Sequence, residues 1–224
     1  MQSIDMLMRE HRNIERVVDA LETAATQLAR GVAVRAGFFT DAAIFFAEYA
    51  DGVHHAKEEG VLFGAMAGSG MPATEGPIPV MLDEHVEARA LTRALRHAGK
   101  RFSDGDATAA AEVVSTARRY ALLIRDHIAK EDEALFPMAE EMFSAQTEVD
   151  VLAGMARLEA QETGSGRLTE LLALADALER EATTLGAALP GRGAIAPHPP
   201  SPAPTHRAPA GGAGMRPAPH IRLA

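Results

Sequence analysis

Through residues 1–189 apolar side chains recur at three- and four-residue intervals, and Gly or Pro gathers where the pattern stops. That rhythm belongs to helices that each bury one face. The first run carries Ile4, Leu7, Ile14, Val18, Leu21, Ala25 and Leu28 on one stripe, which predicts a helix from an N-cap at Ser3 to about Arg30, stopped by Gly31. A second helix is expected from about Ala36 to Met66, ended by a Gly-Ser-Gly-Met-Pro loop, and a third from about Ile78 to Phe102. Ser103-Asp104-Gly105-Asp106 supplies turn and cap residues before a fourth, from about Ala107 to Phe143. Short connections make antiparallel neighbours, so the reading is an all-α, up-down-up-down four-helix bundle. Two extra C-terminal helices, at 145–162 and 167–188, are separated by Gly164-Ser165-Gly166 and are expected to cover the bundle or to pair with a protein partner or a second copy.

Composition divides the chain further, into a bundle at 1–143, a helical extension at 144–189 and a tail at 190–224. Nine of the 13 prolines lie in the tail, with five glycines and no acidic residue, so it is expected to be disordered. His198, His206 and His220 share no scaffold there and are not counted as ligands. The chain carries −9 overall, and without the four arginines of the tail residues 1–189 stand at −13, which disfavours a nucleic-acid phosphate surface. No 18-residue uncharged apolar run and no basic, apolar leader is present, so no membrane association and a cytoplasmic location are expected. The absence of cysteine excludes thiol catalysis, disulfides and Cys-ligated metal sites.

An internal repeat changes the picture. Residues 54–63, H-H-A-K-E-E-G-V-L-F, and residues 127–136, H-I-A-K-E-D-E-A-L-F, agree at six of ten positions. Glu10-His11 on the first helix answers Glu84-His85 on the third; the offsets are 74 residues for one motif and 73 for the other. The bundle therefore reads as a duplicated helix pair with two facing half-sites. His11, His54, Glu58, His85, His127 and Glu131 all fall on core stripes, His54 and Glu58 with Phe39, Ala43, Phe46, Ala47, Ala50 and Val61, and His127 and Glu131 with Val113, Tyr120, Leu123, Ile124 and Met138. The i,i+4 spacing stacks each His–Glu pair on one face. A buried carboxylate needs positive charge, and no Lys or Arg shares those stripes, so a first-row metal cation held by imidazole and carboxylate meets the need. His55 and Glu59 have the same spacing but follow Asp51 and Glu48, and are expected on a solvated face, outside any site. His97, among Arg93, Arg96 and Lys100, is expected in solvent.

A lone His on the first and third helices, with His-x-x-x-Glu followed by Leu-Phe on the second and fourth, resembles the hemerythrin-like family, also called the HHE cation-binding domain, over residues 3–143. The resemblance implies two non-haem irons with His11, His54, His85 and His127 as terminal ligands, Glu58 and Glu131 as bridges and a solvent-derived oxo or hydroxo bridge. Oxygen carriers of that family have a further histidine where this chain has Arg89. The four-histidine, two-glutamate pattern is similar instead to relatives among iron-sulfur cluster repair proteins and an F-box iron sensor, and implies an open position on both irons. Glu15 occupies the equivalent place on the first helix and reads as a ligand, an acceptor for a ligand imidazole or an ion-pair partner of Arg89. Tyr120, two turns before His127, reads as a hydroxyl near the metals or as a core tyrosine. The implied function is binding of a small oxidant or diatomic (dioxygen, nitric oxide or peroxide) for sensing, scavenging or detoxification. Iron sensing or storage through a partner, and a di-iron oxidase or peroxidase, stand beside it, and whether the protein is an enzyme is left open.

Overall fold

A computed structural model describes residues 1–162 and 166–187; the expected disorder of 190–224 and the Gly164-Ser165-Gly166 break lie mainly outside them. Among the described residues the structure is helical, with no strand. The first helix is Gln2–Ala29 and the third Pro77–Ser103. The second runs unbroken over residues 38–68, as α-helix at Phe38–Phe45, π-helix at Phe46–His55 and Glu58–Leu62, and α-helix at Phe63–Gly68. The fourth combines Ala109–Lys130, a π turn at Glu131–Leu135 and Phe136–Met142. These four form the up-down-up-down bundle, second against third, third against fourth, fourth against first. Gly31, at φ +79°, ends the first helix in a conformation that L side chains rarely adopt. Gly99 lets the third helix press on the second: a Cβ there would sit 3.1 Å from Phe39 Cβ and 3.2 Å from the Thr40 nitrogen.

Ser3 does not cap the first helix. It lies inside it, and the amino-terminal turn is capped from elsewhere: the Glu148 carboxylate accepts from the Ser3 backbone N–H at 3.0 Å and from its hydroxyl. Glu148 belongs to the fifth helix, Ala145–Glu162, whose Val151 and Met155 enter the core beside Leu7, Leu62 and Phe136. The sixth helix, Arg167–Ala187, lays Leu171, Ala175, Leu178 and Ala182 against the first and second helices. Both extra helices thus cover the bundle.

The core is two apolar clusters rather than one. One contains Ile14, Val18, Leu21, Phe46, Leu95 and Tyr120; the other contains Ile4, Leu7, Phe63, Met81 and Phe136. Between them, on every helix of the bundle, lies a polar layer: His11 between Leu7 and Ile14, His85 between Met81 and Ala88, and the two His–Glu motifs between Ala50 and Leu62 and between Ile124 and Leu135.

The two halves also differ by one residue. Buried positions match at an offset of 74 from Phe39/Val113 through Ala43/Ala117 and Phe46/Tyr120 to Ala50/Ile124, and at 73 from His54/His127 through Leu62/Leu135 to Phe63/Phe136. The extra residue falls within Phe46–His55, and the wide i→i+5 turns there absorb it. The π turns at Glu58–Leu62 and Glu131–Leu135 are equivalent in the two halves. They rotate the face that follows: Leu62 is buried where period 3.6 expects Val61, and Met138, expected inside, is 42% exposed while Phe136 and Ala139 are buried.

Because the fifth helix completes the cluster of Leu7, Phe63 and Phe136, Met155→Ala is expected to lower unfolding free energy by about 2–4 kcal/mol, the cost of a cavity at a sealed site. Val149→Ala, on the exposed side of that helix, is expected to change it by less than about 0.5 kcal/mol. Urea denaturation of both variants checks this, and equal effects would contradict the packing described.

Candidate metal centre

The polar layer assembles at the bundle axis. Glu58 spans the bundle, Oε1 3.4 Å from His54 Nε2 and Oε2 3.4 Å from His85 Nε2. Glu131 faces it from the fourth helix, its Oε2 3.1 Å from His11 Nε2 and 3.3 Å from His127 Nε2. Each carboxylate therefore reaches an imidazole one turn back on its own helix and another across the bundle. The six side chains predicted from sequence are all brought together and all buried, none more than 2% exposed.

Their donor atoms fall into two groups that share Glu58: His11, His54, Glu58 and Glu131 in one, and His55, Glu58, His85 and His127 in the other, with the ligand atoms of each group within 4.8 Å of one another. Neither Glu58 oxygen and neither Glu131 oxygen has a hydrogen-bond partner, and the same holds for His11 Nε2 and His54 Nε2. Such atoms are costly to bury. Burial drives Glu58 up to about 8, and burial together with the nearby Glu58 raises Glu131 as well. Burial likewise holds His54, His55, His85 and His127 below the ordinary imidazole range. At His11 burial acts the same way but is outweighed by Asp132 and Glu131, which push it up to about 9. Four imidazoles held neutral, His11 and two carboxyl groups cut off from solvent, with their Nε2 and oxygen atoms converging, fit a pair of cations: the positive charge would replace the protons that His11 and Glu58 hold without metal, and coordination would satisfy the orphaned atoms.

A ring of carboxylates and cations surrounds the centre. The Nδ1 atom of His11 meets Asp132 at 2.7 Å, that of His54 meets Glu10 at 3.1 Å, that of His85 meets Glu59 at 2.7 Å and that of His127 meets Glu84 at 3.0 Å. Each carboxylate is paired in turn: Asp132 with Arg12, Glu10 with Lys57, Glu59 with Arg89 and Glu84 with Lys130. An acceptor on Nδ1 fixes the ring orientation and directs the Nε2 lone pair inward. Glu10 and Glu84, Lys57 and Lys130, and Glu59 and Asp132 are related by the internal repeat; Arg12 and Arg89 are not. Lys57 is itself fully buried between Glu10 and Glu159 of the fifth helix.

Three expectations change, for His55, Glu59 and Glu15, and Tyr120 takes the core position, one of its two readings. His55 is not on a solvated face. It is 2% exposed, stacked on His85 with ring centroids 3.9 Å apart, and its Nδ1 lies 3.5 Å from Asp51 Oδ1. Adjacent residues of an α-helix point about 100° apart, but the buried face here is wide enough to cover two neighbours: His55 faces His85 and His127, and its counterpart Ile128, next to His127 on the regular α-helical stretch Ala109–Lys130, is buried in the same way. Glu59 is not idle either, since it holds His85. Glu15 pairs with Arg12 at 3.1 Å, whereas Arg89 turns to Asp51 at 2.7 Å and Glu59 at 2.6 Å. Tyr120 is buried against Phe46, ring centroids 4.2 Å apart, with the Thr92 side chain as its polar partner. His97 is exposed as expected.

The fold and the layer define a four-helix bundle of the cation-binding kind, with a His/Glu centre built from a duplicated helix pair. A family model described as the Hemerythrin HHE cation binding domain matches residues 2–139, and the chain belongs to that family. Membership and the His/Glu groups together imply non-haem iron binding. Neither the curated proteins nor the solved structures contain a match to the chain. No described helix is long and apolar enough to cross a membrane.

Removing one member of a buried ion pair strands the other. Lys57→Met is therefore expected to destabilise the metal-free protein by about 3–5 kcal/mol, and Lys57→Met combined with Glu10→Gln to recover most of that loss. Urea unfolding of the single and double variants measures the difference. A double variant as weak as the single one would show that Lys57 acts by packing rather than by neutralising Glu10.

Proposed function

We propose that the layer holds two iron ions, one on His11 and His54 and the other on His55, His85 and His127, with Glu58 and Glu131 between them and a solvent-derived oxo or hydroxo bridge completing the pair. The observation that carries this reading is the pair of donor groups sharing Glu58, with both oxygens of each glutamate buried and unpartnered. His55 supplies the imidazole that Arg89 does not, coming from the second helix rather than the third. The donor sets are then unequal, two imidazoles against three, and the position poorer in donors is the one that accepts an external ligand.

Bound iron supplies one-electron redox chemistry and coordination of a small diatomic or peroxide. The chain's own residues hold the imidazoles in one tautomer through Asp132, Glu10, Glu59 and Glu84, and exclude water with Phe63 and Phe136, which stack on His85 and His11. We read the protein as a non-haem di-iron protein that engages dioxygen, nitric oxide or peroxide in sensing, scavenging or detoxification.

Anaerobic loading with iron(II) is expected to give two irons per chain and to stabilise the fold by about 2.7 kcal/mol when free iron is a hundredfold above Kd. Absorption spectra are expected to change on adding dioxygen, nitric oxide or peroxide. Glu58→Ala removes the shared carboxylate and is expected to abolish paired binding, while His55→Ala is expected to drop iron content toward one per chain at limiting iron. Full occupancy in His55→Ala would return the centre to four imidazoles, and a wild-type chain that takes up no iron would overturn the reading.

A further inference from the structure

The two halves of the bundle share their ligands but not their surroundings. Beside His55, between the second, third and fourth helices, lies a partly open pocket of about 170 Å³, walled by Phe46, Ala88, Thr92 and Tyr120, with the Asp51–Arg89 pair at one side. At the offset of 74, Ala88 corresponds to Ile14 and Thr92 to Val18; at 73, His55 corresponds to Ile128. Ile14, Val18 and Ile128 are each at most 3% exposed and sit in the apolar core. The duplication has thus filled one flank of the centre with branched aliphatic side chains, and at the matching places of the other flank it puts a methyl, a hydroxyl and an imidazole around a cavity.

We propose that this pocket is a binding site for a small, neutral aromatic molecule bearing one hydroxyl, a phenol in chemical class. The volume exceeds what a diatomic needs, since a water takes about 30 Å³ of liquid, and is close to the roughly 150 Å³ apolar cavity that admits benzene. Phe46 and Tyr120 give it an aromatic wall, and ring–ring contact there favours another aromatic. Thr92, 7% exposed, brings a hydroxyl to the pocket that already partners the Tyr120 side chain and, as both donor and acceptor, has a second hydrogen-bonding role for a ligand. Charge at the lining is mixed, with the Asp51 carboxylate beside an Arg89 that is already taken by Asp51 and Glu59, and with Arg93 as a second guanidinium, so that neither an anion nor a cation is favoured over a neutral molecule. A ligand seated there touches His55, which stacks on His85, so an organic molecule would lie within one side chain of the donor layer. The site goes beyond iron binding and is formed by the protein alone.

The test uses the full chain, metal-free and iron-loaded, with phenol as probe and toluene as its counterpart without the hydroxyl, followed by calorimetry and ligand-observed NMR. Saturable phenol binding at about millimolar concentration or tighter is expected in both forms. Ala88→Ile installs the residue that the other half carries and is expected to weaken phenol at least tenfold while iron content stays at the wild-type value. Thr92→Val keeps the volume, removes the hydroxyl, and is expected to weaken phenol severalfold and leave toluene unchanged; it decides the matter if Ala88→Ile does not fold. No saturable binding to the wild type, or equal binding to wild type and both variants, overturns the proposal. A chain that binds phenol but takes up no iron would instead contradict the di-iron reading and leave the pocket standing.

Discussion

Two glutamates with no hydrogen-bond partner, Glu58 and Glu131, occupy the middle of a helical bundle, and the rest of the architecture answers to that fact. An isolated buried carboxylate costs several kcal/mol or is forced neutral, and here two face each other across one layer. The apolar core is split in two to make room for them. Four imidazoles come in from four helices, and behind each stands a carboxylate whose own charge is met by Arg12, Lys57, Arg89 or Lys130. Outward from the axis, carboxylate, imidazole, carboxylate and cation follow one another, and the two glutamates at the centre are buried with no Lys or Arg paired to them among the described residues. That is an arrangement for receiving cations, and it gives a physical content to membership of the cation-binding family.

The helices and the six central side chains were legible in the sequence because period 3.6 and a duplicated motif point the same way. All six are buried and meet. What escaped that reading was a buried face wider than one stripe and a departure from α-helical geometry. His55 lies inside because the buried face covers it together with His54, as it covers Ile128 beside His127. Leu62 and Phe136 lie inside, and Met138 outside, because π turns rotate the face after Glu58 and Glu131. A signal was present: His11 and His54 are 43 residues apart and His85 and His127 are 42 apart. One extra residue in one half of a duplicated bundle has to be absorbed in a loop or within a helix, and buried pairs that hold an offset of 74 as far as Ala50/Ile124 place it in the helix. Lys57 was unreadable for another reason. Its burial comes from the fifth helix, which no periodicity within the second helix reports.

The two halves also lose their likeness where it would matter most. His55 joins the donor layer on one side, while its counterpart Ile128, equally buried, packs as ordinary core on the other. Asp51, in the same π segment, holds Arg89, and Arg89 holds Glu59 against His85. A difference of residue at matching buried positions, imidazole against isoleucine, thus adds a candidate donor, and Asp51 and Arg89 tie its neighbours in place. A symmetric centre would offer an incoming ligand two equivalent positions; on the di-iron reading proposed above, this one would set the two metals apart in donor number.

Mössbauer spectroscopy of the full chain loaded with 57Fe tests that claim most directly, because it counts iron environments without any assumption about reactivity. Two distinct quadrupole doublets of equal area are the predicted result, one for the two-imidazole position and one for the three-imidazole position. A single doublet from two equivalent irons would contradict the asymmetry, and a single iron per chain would contradict the pairing of Glu58 and Glu131 across two metals.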